Sequence, residues 1–245
     1  MAGRPDDLDA PWRRAAAQVL VDDLGAPGLR SDDAHHLGRV LRLRAGVEVC
    51  ATDGQGGWRA TTFAGGDRLE VAGEVQRQPR PEPLLTVAFA PVKGDRPELV
   101  VQKLTEVGVD RIVPLVTARS VVRWDGDRAA KQMERLRRVA QEACGQCRRL
   151  WLPEVGLGLD APVTPAALLD ALGGAGTVVA EPGGGALGSS ARTVLVGPEG
   201  GWAPEELAAA DDGGAGRCTL GPHVLRAETA AIVAGALMVT LRANR

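Results

Sequence analysis

Val194-Leu-Val-Gly-Pro-Glu-Gly-Gly201 and, further on, Leu220-Gly-Pro-His-Val-Leu-Arg-Ala-Glu-Thr-Ala230 are the two stretches from which the rest of the chain can be read. The first is an apolar, β-branched run that stops in a turn of three glycines and a proline. A buried strand ending this way delivers bare backbone to one place, as a small-ligand site requires. The second passes from an apolar residue into Gly221-Pro222 and sets Arg226 and Glu228 just before a helical pattern, Thr229 to Leu241. A charged pair is thereby expected at a helix N-terminus.

Working outward, the C-terminal two thirds alternates. Strands are expected at Leu84–Ala90, Arg111–Leu115, near Trp151–Val155, at Thr177–Glu181, Thr193–Val196 and Arg217–Leu220. Helices are expected at Arg96–Val107, Arg128–Cys147, Pro165–Leu172, Pro204–Asp211 and Thr229–Leu241. Alternation of this kind indicates an α/β layer on a mostly parallel sheet. Before it, Gln76-Arg-Gln-Pro-Arg-Pro-Glu-Pro83 has three prolines and little that can be buried, and reads as a linker. From Trp12 to Val75 short apolar runs are broken by turn residues (Ala17–Val21, Val47–Thr52, Trp58–Phe63, Leu69–Val75), with a hairpin turn at Asp53-Gly54 and Gly56-Gly57. This predicts a small β-barrel with one helix, Asp32–Leu41, capped by Ser31 and carrying Leu37, Val40 and Leu41 on one side, with Arg39 and Arg42 on another face. The expected division is therefore residues 1–78 and 84–245, joined by 76–83, and 245 residues suffice for two cores.

A hydrophobic fraction of 44% and a charged fraction of 24% are ordinary for a soluble protein, and no apolar run approaches a membrane span. Met1 to Ala10 is acidic and polar, unlike a secretory signal, so the expected location is the cytoplasm, with no membrane partner. Cys144 and Cys147 form a C-x-x-C, but Cys50 and Cys218 are distant singles. Structural thiols are expected, and no metal site. A formal net charge of −2 gives no global case for nucleic acid. Arg39, Arg42 and Arg44, and the group Arg135, Arg137, Arg138, Arg148 and Arg149, are nevertheless clusters that can neutralise phosphates locally.

Gly183-Gly-Gly-Ala-Leu-Gly188 fits G-x-G-x-x-G, but a further strand follows where a dinucleotide site needs a helix, so a flexible glycine loop is expected. At Gly197 to Gly201 the glycines let N–H and C=O groups reach a ligand edge that any Cβ would obstruct, although the same residues could form a strand-to-helix turn and nothing more. Arg226 keeps its charge at any working pH and offers a planar fork of donors to a phosphate, a carboxylate or a developing oxyanion. Glu228 and Thr229 have a local reading as well, in dipole compensation and capping.

These two segments resemble the paired GPEGG and LR-x-ETA elements of the RsmE-type 16S ribosomal RNA (uracil-N3) methyltransferases, in the SPOUT class of S-adenosylmethionine enzymes. Further elements extend the resemblance in the same order. His35-His36-Leu-Gly-Arg-Val-Leu-Arg42 is similar to the family's N-terminal element, Lys93-Gly-Asp-Arg96 to its KGDR, Gln102 to Asp110 to its QKATELGV-type helix, and Arg119-Ser-Val-Val122 to its RSV segment. Arg138 to Arg149 resembles its EAAEQSxR helix, with Gly145 where an acidic residue is usual. The family's N-terminal aromatic pair is absent here, where Trp12-Arg-Arg stands.

The resemblance implies a PUA-like β-barrel RNA-binding domain followed by a SPOUT α/β domain with a trefoil knot. It implies S-adenosylmethionine seated against Glu181, Val196, Gly197, Pro198, Glu199, Gly200 and Gly201 on one side. On the other it implies Leu220, Gly221, Val224, Leu225, Arg226, Thr229 and Ala230. Arg226 and Glu228 are the implied catalytic residues, with water an open alternative as proton acceptor. Arg39, Arg42, Lys93, Arg119, Gln146 and Arg149 are the implied RNA contacts, 16S ribosomal RNA of the small subunit the partner, and a homodimer through the knot domain the assembly. Two other functions are weighed against methylation of a uridine: a non-catalytic RNA-binding protein of ribosome assembly, and a SPOUT enzyme acting on another RNA. The intact glycine and LR-x-ETA segments favour the enzyme.

Overall fold

The computed structural model describes residues 10–244; the acidic stretch Met1–Asp9 and Arg245 lie outside the described residues. The chain divides into two compact units, Met1–Glu82 with Gln141–Leu152, and Pro83–Ala140 with Pro153–Arg245. A contiguous split is thus incomplete, because Gln141–Leu152 return to the first unit.

The first unit contains α1 (Pro11–Arg14), β1 (Ala17–Leu20), α2 (Ser31–His35), β2 (Glu48–Thr52), β3 (Gly57–Gly65), β4 (Arg68–Val71) and β5 (Gln76–Arg77). Its sheet runs β1-β2-β3-β4, with β5 also on β3. The hairpin between β2 and β3 forms where the glycines predict it, and Asp53 Oδ1 accepts from the N–H groups of Gln55 (2.7 Å) and Gly57 (2.9 Å). Val19, Leu37, Val49 and Phe63 fill one core, while Trp12, Trp58, Cys50 and Leu150 fill a second. Three expectations need correction. Gln76 and Arg77 are not linker but pair with Trp58 and Gly57. Ser31 is the first helical residue rather than the cap, which is Arg30 without a side-chain bond. The helix also continues only as a π-turn, His36–Val40, so the α-helical period fails: Leu37 is fully buried while Val40 and Leu41 are 58% and 42% exposed.

The second unit contains β6 (Thr86–Phe89), α3 (Arg96–Val107), β7 (Arg111–Pro114), α4 (Gly126–Gln146, whose last turns belong to the first unit), β8 (Glu154–Val155) and α5 (Pro165–Leu172). They are followed by β9 (Thr177–Ala186), β10 (Thr193–Val196), α6 (Pro204–Asp212), β11 (Gly216–Thr219) and α7 (Ala227–Ala243). Six parallel strands lie in the order β11-β9-β10-β6-β7-β8. The strands β6 and β10 are buried at every position, which is why they read as unbroken apolar runs. Gly235 sets the approach of α7 to α3, since a Cβ there would lie 2.5 Å from Leu104 Cδ2. Arg242 near the end of α7 pairs with Asp110, which is buried and also accepts from the Leu85 N–H at 2.9 Å.

The glycine loop expected at Gly183–Gly188 is instead largely strand. Strand β9 runs on to Ala186, and its register against β11 breaks: Arg217 pairs with Val179, but Cys218 pairs with Gly185. The intervening residues bulge from the sheet. Gly184 permits this, because a Cβ there would sit 2.7 Å from the Cys218 backbone.

Candidate active site

The bulged middle of β9, Ala180–Gly183, and the two segments that leave the carboxyl ends of β10 and β11 enclose a cavity of about 690 Å³, at the side of the sheet where ligands of open parallel sheets are usually held. The segment after β10 is the first glycine turn. Gly197 lies against the Trp202 indole so closely that a Cβ would be 2.9 Å from Cε2, and Trp202 Nε1 donates to the Ala180 carbonyl at 3.2 Å. The turn closes through Gly201 N–H to Pro198 O (2.9 Å), with Gly201 at φ 69°. From outside, Arg119 Nη1 donates to Gly200 O at 3.0 Å. The segment after β11 is tightened by Thr219 Oγ1 donating to Gly221 O at 3.0 Å. It ends at Arg226, the N-cap residue of α7, whose carbonyl accepts from Ala230 N–H at 2.8 Å.

Of the residues expected to hold a cofactor, Glu181, Val196, Gly197, Pro198, Glu199, Gly200 and Gly201 line this cavity. So do Leu220, Gly221, Val224, Leu225, Arg226 and Ala230. Thr229 does not; it is an exposed residue inside the first turn of α7. Glu228 also lies outside the lining. Its carboxylate is paired with Arg96 of α3 at 3.4 Å and its side chain is only 13% exposed. Sequence reasoning missed Ala180, Pro182, Gly183, Trp202, Thr219, Pro222, His223 and Ala227, which complete the wall. Pro222, His223 and Ala227 lay inside the quoted segment Leu220–Ala230, and Gly183 carried a signal in the glycine run discounted as a loop.

The expected RNA contacts fall in both units. Arg39 and Arg42 are exposed in the first unit, Arg42 at the left-handed φ of 53°. Gln146 is exposed at the end of α4, and Arg149 is half-buried, its carbonyl accepting from Gln18 Nε2 (2.7 Å) and Cys144 Sγ (3.1 Å). Lys93 and Arg119 are exposed in the second unit, Arg119 already engaged with Gly200. Burial pushes the Cys144 thiol up to about 12, with the neighbouring Cys147 adding to the shift, so at neutral pH it is a protonated core group.

A family model described as an RNA methyltransferase domain matches residues 79–239, and one described as an RNA methyltransferase PUA domain matches residues 29–75. Ribosomal RNA small subunit methyltransferase E of Mycobacterium bovis is 36% identical over 226 residues, 87% of this chain and 86% of that protein. The chain belongs to the methyltransferase E (RsmE) family. Among solved structures, the RsmE protein of Neisseria gonorrhoeae bound to S-adenosyl methionine is 30% identical with a TM-score of 0.78, covering 92% of this chain and 97% of that one. A probable rRNA-methyltransferase from Porphyromonas gingivalis is 28% identical with a TM-score of 0.79, covering 93% of this chain and 99% of that one. The architecture is accordingly that of the RsmE family: a SPOUT α/β domain with a PUA-like N-terminal domain.

Proposed function

We propose that this protein transfers the methyl group of S-adenosylmethionine to the N3 nitrogen of a uridine in 16S ribosomal RNA. The observation that carries the reading is the cavity itself, in which two turns of naked main chain and one guanidinium converge in a chain of the RsmE family. The residues present fit the cofactor. At Gly183, Gly201 and Gly221, all in the lining, the space a Cβ would take is open, so only glycine leaves that volume to a ligand. The lining carboxylates Glu181 and Glu199 suit a sulfonium and an ammonium, and Arg226 suits a carboxylate or a developing oxyanion. When bound, S-adenosylmethionine supplies an electrophilic methyl on a positive sulfur.

The chain's own residues then have separable tasks. The turns Gly197–Gly201 and Leu220–Leu225 bind and orient through main-chain groups, which need no rearrangement at the moment of reaction. The uracil N3 must lose its imide proton, and the resulting charge spreads onto the flanking carbonyl oxygens. Arg226, the N-cap residue of α7, stabilises that charge with its guanidinium. Glu228 was the side-chain candidate for proton acceptor. Because it faces Arg96 and not the cavity, we assign it to holding the start of α7 and leave the proton to water.

In this reading residues 1–78 serve as the RNA-binding domain and 84–245 as the knotted methyltransferase domain, with Arg39, Arg42, Gln146, Arg149 and Lys93 on RNA. Arg119 primarily holds the cofactor turn. We place the protein in the cytoplasm; no helix among the described residues is long and apolar enough to cross a membrane. We further propose a two-fold dimer; the exposed Leu237 of α7 and Leu99 of the adjoining α3, at 38% and 42%, offer apolar surface for it, while Ala231, Ala234 and Met238 are spent on the core. Sedimentation as a monomer at micromolar concentration would contradict it. Calorimetry with S-adenosylhomocysteine, the demethylated product, tests the cofactor reading; no binding heat from folded protein, with small subunits present, would refute it.

A further inference from the structure

Glu206, on the first turn of α6, joins two segments that lie far apart in sequence. One carboxylate oxygen, Oε2, accepts from Ala203 N–H at 2.9 Å, the reach-back of an ordinary helix start. The other, Oε1, accepts from Ala118 N–H at 2.9 Å. Ala118 sits in the loop after β7, which is stiffened by Ser120 Oγ accepting from Thr117 N–H at 3.0 Å and lying 2.8 Å from Thr117 Oγ1. The next residue, Arg119, is the one that donates to Gly200 O. The cavity turn Gly197–Trp202 is thus held at two points from one loop: within the turn by Arg119 at Gly200, and just beyond it by Glu206 at the junction with α6.

We propose that Glu206 is a positioning residue for the cofactor cavity, setting the glycine turn through this brace rather than merely starting a helix. The inference rests on the cofactor reading given above. A carboxylate suits the task because both its oxygens accept, and here both meet N–H donors. Glutamine keeps the length but has one acceptor, so it can serve Ala118 or Ala203 and not both. Alanine serves neither and leaves two N–H groups without their partner. Glu205, its exposed neighbour in the same helical turn, makes no such link and serves as the control.

The test is the dissociation constant of S-adenosylhomocysteine by calorimetry, alongside thermal melting, for the full chain and the variants E205A, E206Q and E206A, all measured well below their melting temperatures. The brace predicts weakening of about fivefold for E206Q and about twentyfold or more for E206A, with E205A binding as the wild type does. It also predicts that hydrogen exchange quickens in residues 116–121 as well as 197–203, the former remote from α6 in sequence. Affinity unchanged in E206Q and E206A, with only the melting temperature lowered, would mean that Glu206 does no more than cap α6 and would overturn the proposal. Absence of binding by the wild-type protein would instead refute the cofactor reading on which it rests.

Discussion

Replacing Gly197 by alanine tests how the cavity wall is built. This glycine lies outside the left-handed region, so an added Cβ brings no backbone strain and its cost is contact alone. The Cβ would stand 2.9 Å from Trp202 Cε2, 3.0 Å from Nε1 and 3.2 Å from Cδ2. Trp202 cannot swing clear easily. It is 6% exposed within the core cluster that includes Leu168, Leu195 and Ala210, and its Nε1 is committed to Ala180 O. Overpacking of this kind costs about 1–3 kcal/mol, and losing the indole hydrogen bond adds about 1 kcal/mol. For a chain of this size that is a fall in melting temperature of about 5–15 °C. Because Ala180 and Trp202 both line the cavity, affinity for S-adenosylhomocysteine should also fall, by about tenfold, and the tryptophan emission should shift as the ring is displaced. Gly201→Ala provides the contrast. Its Cβ meets nothing within 4 Å, but its φ is 69°, so its cost in stability should be only about 1–2 kcal/mol of backbone strain, while its Cβ takes volume that the cavity leaves to the ligand. If Gly197→Ala melted and bound as the wild type does, the claim that the turn is set by the indole beneath it would be wrong.

Arg226→Ala should retain cofactor binding within a few fold yet lose about 10²–10³ in kcat, as when one oxyanion donor is removed; equal turnover would remove Arg226 from the mechanism. Arg242→Ala leaves the buried Asp110 carboxylate without its cation and should cost about 3–5 kcal/mol in denaturant unfolding, with Asp110→Asn restoring part of that in the double variant. Burial pushes Cys50 and Cys144 up to about 12 from an ordinary 9.0, so the folded state keeps protons that the unfolded chain releases. Their contribution to stability is whole below about pH 9 and is lost as pH rises toward 12. Unfolding midpoints should fall through that window, and less steeply in Cys144→Ala. Arg39→Ala and Arg42→Ala should each flatten the salt dependence of RNA binding by somewhat less than one unit of slope; an unchanged slope would take them off the phosphates.

The helices α3 and α5 could be bounded from sequence because Pro97 and Pro165 sit in their first turns and Gly108 and Gly173 follow their last. The turn Gly197–Gly201 was equally legible, since three glycines and a proline directly after an apolar run call for a sharp turn or a close approach of main chain. What escaped was non-local. The extension of β9 through Gly183–Ala186 has no strand propensity and exists because β11 pairs with it beyond a bulge. That extension carried Pro182 and Gly183 into the wall unseen. The resemblance implied a catalytic role for Glu228, but only folding reveals that Arg96 holds it. Likewise the π-turn at His36–Val40 turned two apolar residues outward that a 3.6 period would bury. Arg119 was expected on RNA, and its bond to Gly200 depends on a loop closure that no spacing encodes.

The most direct test of the central claim is a labelling experiment. Small ribosomal subunits from cells lacking this protein are incubated with it and with S-adenosylmethionine carrying a labelled methyl group, and the 16S RNA is digested to nucleosides for mass spectrometry. The label is predicted in N3-methyluridine and nowhere else. Label in any other nucleoside, or none at all from protein that binds S-adenosylhomocysteine, would contradict the account.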